Sequence, residues 1–207
     1  MKPRNKAYSR KLRLALFGGR GIPSTYSGTE TFFMELAPRL VERGHEVIAY
    51  CRRSLFQSRP AEYKGVKLIY LPSIETKNLG TFTHTLACMF DVLRRDVDAI
   101  LVTNVANAFH CIIPRIFRQN CALNVDGIEW KRGKWGPLGK AYFYLNAKFS
   151  GKILPRGIIT DAYAMRDLYL EQFKTPSACI AYGGNIEAST NPEAVHQYGL
   201  DPGEYYL

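Results

Sequence analysis

LRLALF at 12–17, GGRGIPSTYSGT at 18–29, ETFFMELAPRLVER at 30–43 and, after GHE, VIAYC at 47–51 form one continuous pattern. The first and last runs are short and almost wholly apolar, as a strand covered on both faces must be. Between them Phe32, Phe33, Leu36, Leu40 and Val41 fall on one face of a helical wheel. That spacing predicts a helix over 30–43, stopped by Gly44 and bent at Pro38, whose missing N–H frees the carbonyl of Met34. Strand, glycine-rich loop, helix and strand make a βαβ unit, and the tight join at Gly44-His45 is typical of one.

The alternation continues outward. VKLIYL (66–71), AILVT (99–103), residues 122–125, 158–160 and 178–181 read as strands. Helices are expected over 81–95, 106–118 (shortened or kinked at Pro114), 137–149 and up to Phe173, with Asp161 as the N-cap of the last. Near-continuous apolar strands alternating with helices imply an α/β fold: a doubly wound, mostly parallel, Rossmann-like sheet. The domains divide as a basic arm over 1–11, a Rossmann-like domain over 12–187 and a polar, turn-rich linker over 188–207. The closing Tyr205-Tyr206-Leu207 looks like the opening of a further strand, so the chain is expected to belong to a longer architecture.

With 207 residues, 46% hydrophobic and 22% charged, the composition excludes disordered, collagenous and coiled-coil classes. Every apolar run is interrupted well short of the ~18 residues of a membrane span, and the basic start lacks the apolar core of a signal peptide. A cytoplasmic location is therefore expected. Cys51, Cys88, Cys111, Cys121 and Cys179 are scattered and odd in number, and His45, His84, His110 and His196 form no ligand pair. That pattern predicts reduced thiols and no metal site. The net charge of +10, carried by Lys2, Arg4, Lys6, Arg10, Lys11, Arg13, Arg52/Arg53, Arg94/Arg95 and Lys131/Arg132/Lys134, predicts an anionic partner or a solvated basic surface.

The loop at 18–29 sits between the first strand and the first helix, at the carboxyl edge where such sheets bind ligands. Glycines allow backbone N–H groups to approach a ligand, and Gly28 stands where a helix offers unpaired donors to a diphosphate. A dinucleotide fingerprint is absent, because Ser24 follows Gly19-Arg20-Gly21 where a third glycine belongs and the second strand ends in Cys51-Arg52-Arg53. No Gly-Lys-Ser/Thr follows either, which excludes a P-loop. A purely structural turn is the alternative, although twelve residues exceed the ~2–6 of an ordinary βα connection.

The stretch GGRGIPSTYSGTETFFMELAPRLVERGHEVIAYCR at 18–52, with NVDGIEWKRGKWGPLGKAYF at 124–143, resembles the N-terminal domain of retaining family-4 glycosyltransferases. Within them it is most similar to a rhamnosyltransferase-like subgroup fronted by a domain formerly of unknown function. The resemblance runs from about Leu12 to Leu207. It implies a GT-B enzyme of two Rossmann-like domains, with this chain as the acceptor-side half and the nucleotide-sugar pocket in a missing C-terminal donor domain. The implied reaction moves a sugar from a nucleoside-diphosphate sugar to a cell-surface glycan or lipid-linked acceptor, with retention. It needs no metal and no cofactor beyond the sugar nucleotide. The implied partners are that donor and the acceptor; the basic faces and Phe/Tyr-rich helices add an anionic membrane surface as a subsidiary expectation, and no nucleic acid is expected. The chain alone is expected to be inactive.

On this reading Gly19, Gly21, Gly28 and Thr29 form the donor-phosphate loop. Asp126, which closes an apolar strand before Gly127, orients or deprotonates the acceptor hydroxyl. Asn104, Glu129, Trp130, Lys131 and Arg132 are the acceptor-binding candidates. Each has a plainer alternative. Glu30 and Ser27 suit a capping box, Asp126-Gly127 suits a turn, Asn104 and Asn107 suit helix caps, and 129–134 suits an exposed basic loop. The competing functional class is a non-catalytic α/β module that binds an anion or nucleic acid, although no nucleic-acid motif accompanies the charge.

Overall fold

The computed structural model describes residues 10–24, 26–76, 79–184 and 191–201. In chain order the elements are β1 (Arg13–Phe17), α1 (Gly28–Glu42), β2 (Glu46–Arg52), β3 (Glu62–Tyr63), β4 (Val66–Leu71), α2 (Leu79–Val92) and β5 (Ala99–Thr103). They continue as α3 (Ile112–Ile116), β6 (Cys121–Val125), α4 (Pro137–Ile153), β7 (Ile158–Thr160), α5 (Tyr163–Phe173) and β8 (Ala178–Cys179). Residues 1–9 of the expected arm, residues 185–190, and 202–207 with the expected strand start lie outside the described residues. Within the stretch expected to be a linker, Pro192–Tyr198 forms a 3-10 helix that ends at Gly199 in the left-handed region.

The strands form one sheet in the order β3-β4-β2-β1-β5-β6-β7-β8, parallel throughout except for the short β3–β4 hairpin. Period-two alternation divides each strand between two cores. Leu16, Val47, Ala49, Cys51, Val66 and Leu68 face α1 through Phe33 and Ala37. Ala15, Phe17, Tyr50, Ile100, Val102, Leu123 and Ile158 face the other helices, through Cys88, Met89 and Val92 of α2, Phe143 and Ala147 of α4 and Tyr169 of α5. The chain steps outward from β1 through β2 to β4, then returns through α2 to β5 on the other side of β1. That reversal makes the carboxyl ends of β1 and β5 the topological switch point, where an open α/β sheet leaves a ligand crevice.

Several local expectations are corrected. The helix expected over 106–118 is a 3-10 helix at Val105–Cys111 followed by only five α-helical residues. Asn104 sets that tight start: at φ 73° its side chain accepts from the Ala106 amide at 2.9 Å and its carbonyl accepts from Asn107 N–H at 3.0 Å. Asp161 does not cap α5, whose N-cap is Ala162 with no side-chain bond. The hairpin strand β3 was not anticipated, because two residues are too few to show a period. Its turn is Lys64-Gly65, both at positive φ. α1 continues through the buried Pro38.

One buried group makes the fold acid-sensitive. His84 on α2 is fully buried, with Nε2 3.6 Å from the Cys88 thiol one turn on. Burial, and then the charge of Arg52, push its pKa from 6.5 down to about 4. Between those values the unfolded chain holds a proton on this imidazole and the folded chain does not. Stability therefore falls as pH drops from about 6.5 to about 4, by roughly 3 kcal/mol for this group. Urea unfolding at pH 7 and pH 4.5 checks this, and His84→Gln is expected to remove this group's share of the difference, leaving that of the buried His110, whose pKa burial also lowers.

Candidate functional site

The loop between β1 and α1 is held from within. Gly18 leaves the sheet at φ 118°, and a Cβ there would lie 2.4 Å from the Thr103 carbonyl oxygen, so only glycine lets β1 and β5 end this close together. Asn107, fully buried, ties both ends by donating Nδ2–H to Thr103 O at 2.8 Å and Gly18 O at 3.3 Å. Gly21, at φ 113°, packs against Cys51 with 2.6 Å between its would-be Cβ and the Cys51 Cα, and it lines neither chamber described below. Its expected place in a phosphate loop is thus corrected to a packing role.

The capping box is not made. Ser27 is the N-cap of α1 but makes no side-chain bond to the helix backbone. Its hydroxyl donates to Glu30 Oε2, and Glu30 Oε1 accepts the Arg20 amide at 2.7 Å. Glu30, only 2% exposed, thus pins the loop from inside. The first bond of α1 runs from Thr31 N–H to Ser27 O at 3.1 Å, so the Gly28 and Thr29 amides at the helix start are open donors. Gly28 is exposed with nothing within 4 Å of its would-be Cβ and, like Gly21, lines neither chamber described below, whereas Thr29 lines the polar one.

Two adjoining chambers open at the switch point. A polar one of about 500 Å³ is walled by Gly18, Gly19, Arg20, Thr29, Arg52 and Glu75, among others. A larger one of about 790 Å³ has Asp126, Glu129, Arg132, Lys134, Trp135 and Tyr142 on its wall. Tyr26, Ser27, Thr81 and Asn104 belong to both, so the two are halves of one crevice. Asp126 and the start of α1 therefore open onto the same space.

Asp126 follows β6 directly. Although the residue is exposed at the crevice, partial enclosure of its carboxyl and then the negative charges of Asp161 and Glu129 raise its pKa, against the opposing pull of its own backbone amide and Arg132. Asp161 itself carries a buried, unpartnered Oδ1. Glu129 is held differently. Burial pushes its pKa up, but donors outweigh it and the net shift is downward: Trp135 Nε1 at 2.8 Å, the Arg132 guanidinium and Lys134 Nζ at 3.2 Å.

The acceptor candidates separate on inspection. Asn104, Glu129 and Arg132 stand on the crevice wall. Lys131 is exposed and off the wall. Trp130 is 8% exposed, wedged against Tyr144 and Phe173 with centroids at 6.2 and 5.6 Å, so it offers no face to a sugar or a membrane. The 3-10 turn Glu129–Lys131 rotates it into the core. Trp135 takes the wall position instead, its ring tilted at 45° against Phe143 with centroids 4.8 Å apart. Both tryptophans lie in one basic stretch, and nothing in their spacing distinguishes them. Arg52, read only as surface charge, is another wall residue that sequence reasoning missed.

The strand order and the crevice at its switch point define a Rossmann-like α/β domain. Solved structures bear this out at 11–13% identity. A glycosyltransferase from Rickettsia africae superposes with a TM-score of 0.54 at 13% identity, over 93% of this chain and 51% of that one. A UDP-glucosyltransferase from Polygonum tinctorium, described as capable of glucosylating indoxyl, gives 0.53 at 11% identity over 93% and 57%. The Phytolacca americana UGT2, complexed with UDP-2fluoro-glucose and pterostilbene, gives 0.53 at 12% over 87% and 56%. The chain thus spans a little over half the length of these structures. By sequence it belongs to the family described as Domain of unknown function (DUF1972), which matches residues 12–185. No curated protein matches it.

Proposed function

We propose that this domain is the acceptor-side half of a retaining glycosyltransferase of the GT-B type. It moves a sugar from a nucleoside-diphosphate sugar to a hydroxyl of a cell-surface glycan or lipid-linked acceptor, the rhamnosyltransferase-like subgroup being the nearest kind. The observation that carries the reading is the shared crevice: Thr29 at the start of α1 lines its polar chamber, Asp126 lines the adjoining one, and Ser27 belongs to both. Retention without an enzymic nucleophile rests on positioning and on stabilising the departing diphosphate. The Gly28 and Thr29 amides face that diphosphate, Asp126 takes or orients the acceptor hydroxyl proton, and Trp135, Asn104 and the Glu129–Arg132 pair hold the acceptor. The likeness to proteins named for or bound to UDP sugars supports the choice of donor. The reaction as proposed uses the sugar nucleotide and no other cofactor. A polypeptide joining this chain to a nucleotide-sugar-binding lobe is expected to transfer labelled sugar to an acceptor extract, and the chain alone to transfer none. Robust transfer by the chain alone overturns the half-enzyme reading.

Shallow attachment to an anionic membrane face accompanies this proposal. None of the described helices is long and apolar enough to cross a membrane. On α4, however, Leu145, Lys148, Phe149 and Lys152 share a face, with both lysine ammoniums within 6 Å of the Phe149 ring centroid. Phe109 adjoins it at 6.3 Å, and Ile112 and Ile116, 48% and 68% exposed, extend the apolar surface. Exposed apolar groups ringed by cations suit an anionic interface. Sedimentation with anionic liposomes at low salt is expected to carry the chain down, and Leu145→Glu with Ile112→Glu to release it. No binding by the unaltered chain removes the attachment.

A further inference from the structure

A further cavity lies at the opposite edge of the sheet from the crevice. This groove of about 530 Å³ opens where β5, β6 and β7 begin, with Ala99, Cys121 and Gly157 on its wall. Ile153 and Leu154, 8% and 7% exposed, give it an apolar lining. Arg115, Arg118 and Arg156 complete the wall, and no acidic residue lines it.

Local backbone structure fixes where the three arginines stand. Arg115 Nη1 donates to the Lys152 and Ile153 carbonyls at the end of α4, the latter at 2.5 Å. One nitrogen is thus spent on carbonyls that a helix end leaves open, and Nε and Nη2 remain as donors. Arg118 follows α3 at φ 57°, its amide on Arg115 O at 3.1 Å and the next amide, of Gln119, on Pro114 O at 2.8 Å. Arg156 rides a tight turn closed by the Gly157 amide on Leu154 O at 3.1 Å. Gly157 is required there, because a Cβ would stand 2.5 Å from the Cys121 carbonyl oxygen. Among the described residues neither Arg118 nor Arg156 has a carboxylate partner or a side-chain hydrogen bond. Asp96 and Asp98, the acids just before β5, are taken by Arg13 and Arg10. Three cations on one groove with no counter-charge repel one another, and a bound anion offsets that repulsion.

The surroundings select the anion. The segment 112–118, IIPRIFR, interleaves two of these arginines with Ile112, Ile116 and Phe117, which are 48%, 68% and 62% exposed. A free phosphate or a wholly acidic peptide leaves such side chains in water, whereas acyl chains cover them. α4, at 17 residues roughly 25 Å long, runs from the crevice wall at Leu138 and Tyr142 to the groove at Ile153. A bilayer lying along its Leu145–Phe149 face therefore meets both ends.

We propose that this groove seats the headgroup of an anionic phospholipid. Arg115, Arg118 and Arg156 hold its phosphate oxygens, and its acyl chains leave beside Ile116 and Phe117. The proposal rests on the membrane attachment inferred above and adds to it a defined headgroup site, on the sheet edge away from the crevice.

The test is calorimetric titration of the 207-residue protein with dihexanoyl phosphatidylglycerol below its micelle concentration. Saturable binding is expected, weakened at least about ten-fold by Arg118→Gln with Arg156→Gln. Both residues are exposed, so folding is expected to persist, and circular dichroism checks it. Arg43→Gln with Lys67→Gln removes the same charge at the end of α1 and on β4 and is expected to leave binding unchanged. Dihexanoyl phosphatidylcholine, whose choline cancels the phosphate charge, is expected to bind more weakly by a similar factor. Inorganic phosphate or a poly-glutamate peptide binding as tightly as the anionic lipid overturns the proposal, the first in favour of a free anion and the second of a protein partner. Absence of lipid binding, or binding that the double variant leaves intact, overturns it too. Liposome sedimentation of the unaltered protein tells the two readings apart. Sedimentation without titratable lipid removes the groove and keeps the attachment, whereas lipid binding without sedimentation keeps the groove and removes the attachment.

Discussion

Asp126→Asn is expected to lower sugar transfer by about 10²–10⁴-fold, the range a positioned general base supplies. The substitution keeps size and shape, so the fold and donor binding are expected to remain. The pH profile carries the more specific signature. Partial enclosure raises the Asp126 carboxyl above its ordinary range, and Asp161 and Glu129 add negative charge beside it. A base must be unprotonated to act, so activity is expected to rise with pH through that raised pKa. The acidic limb is then expected to lie above that of an unperturbed aspartate. Asp161→Asn, which removes one neighbouring negative charge, is expected to move that limb toward lower pH while leaving the plateau rate nearly unchanged. A full rate in Asp126→Asn, or an acidic limb that Asp161→Asn does not move, refutes the base.

The second large effect concerns stability. Gly18→Ala is expected to cost about 3–5 kcal/mol, combining backbone strain at positive φ with an overpacked contact. A methyl group there meets Thr103 O at 2.4 Å and Thr103 N at 2.7 Å, both backbone atoms that cannot step aside. In a domain of this size that corresponds to a fall in Tm on the order of 10 °C. Gly28→Ala makes the contrast. Its methyl group enters open space with φ outside the strained region, so stability is expected to stay within about 0.5 kcal/mol. If a ligand approaches the Gly28 amide, transfer falls by about ten-fold without any change in Tm. Differential scanning fluorimetry and the coupled transfer assay separate the two outcomes.

The central strands and the first helix were legible because each is long enough to show its period. VKLIYL and AILVT became β4 and β5 at the boundaries read from their apolar runs. The two-residue β3 shows no period at all. The 3-10 turn after Asn104 depends on a backbone conformation at one residue, and the displaced cap at Ala162 depends on where α5 meets the sheet end. Along the crevice, Asp126 and Asn104 stand where residue type at strand ends pointed, and Glu129 and Arg132, named as its neighbours in the chain, also reach the wall. Trp130 and Trp135 could not be told apart, because a single turn between them sends one ring into the core and the other to the crevice.

The linear pattern by itself determined the class of fold, the glycine-rich connection at the carboxyl edge and the basic excess, since apolar periodicity and backbone freedom are local properties of the chain. Which glycine packs and which stays open, that Glu30 is spent inside the loop, and that Arg52 from β2 meets Thr81 and Glu75 across a chamber were decided only by the folded sheet. Those relations join residues far apart in the chain, and hydrogen-bond valences can be counted as used or free only once their partners have been brought together.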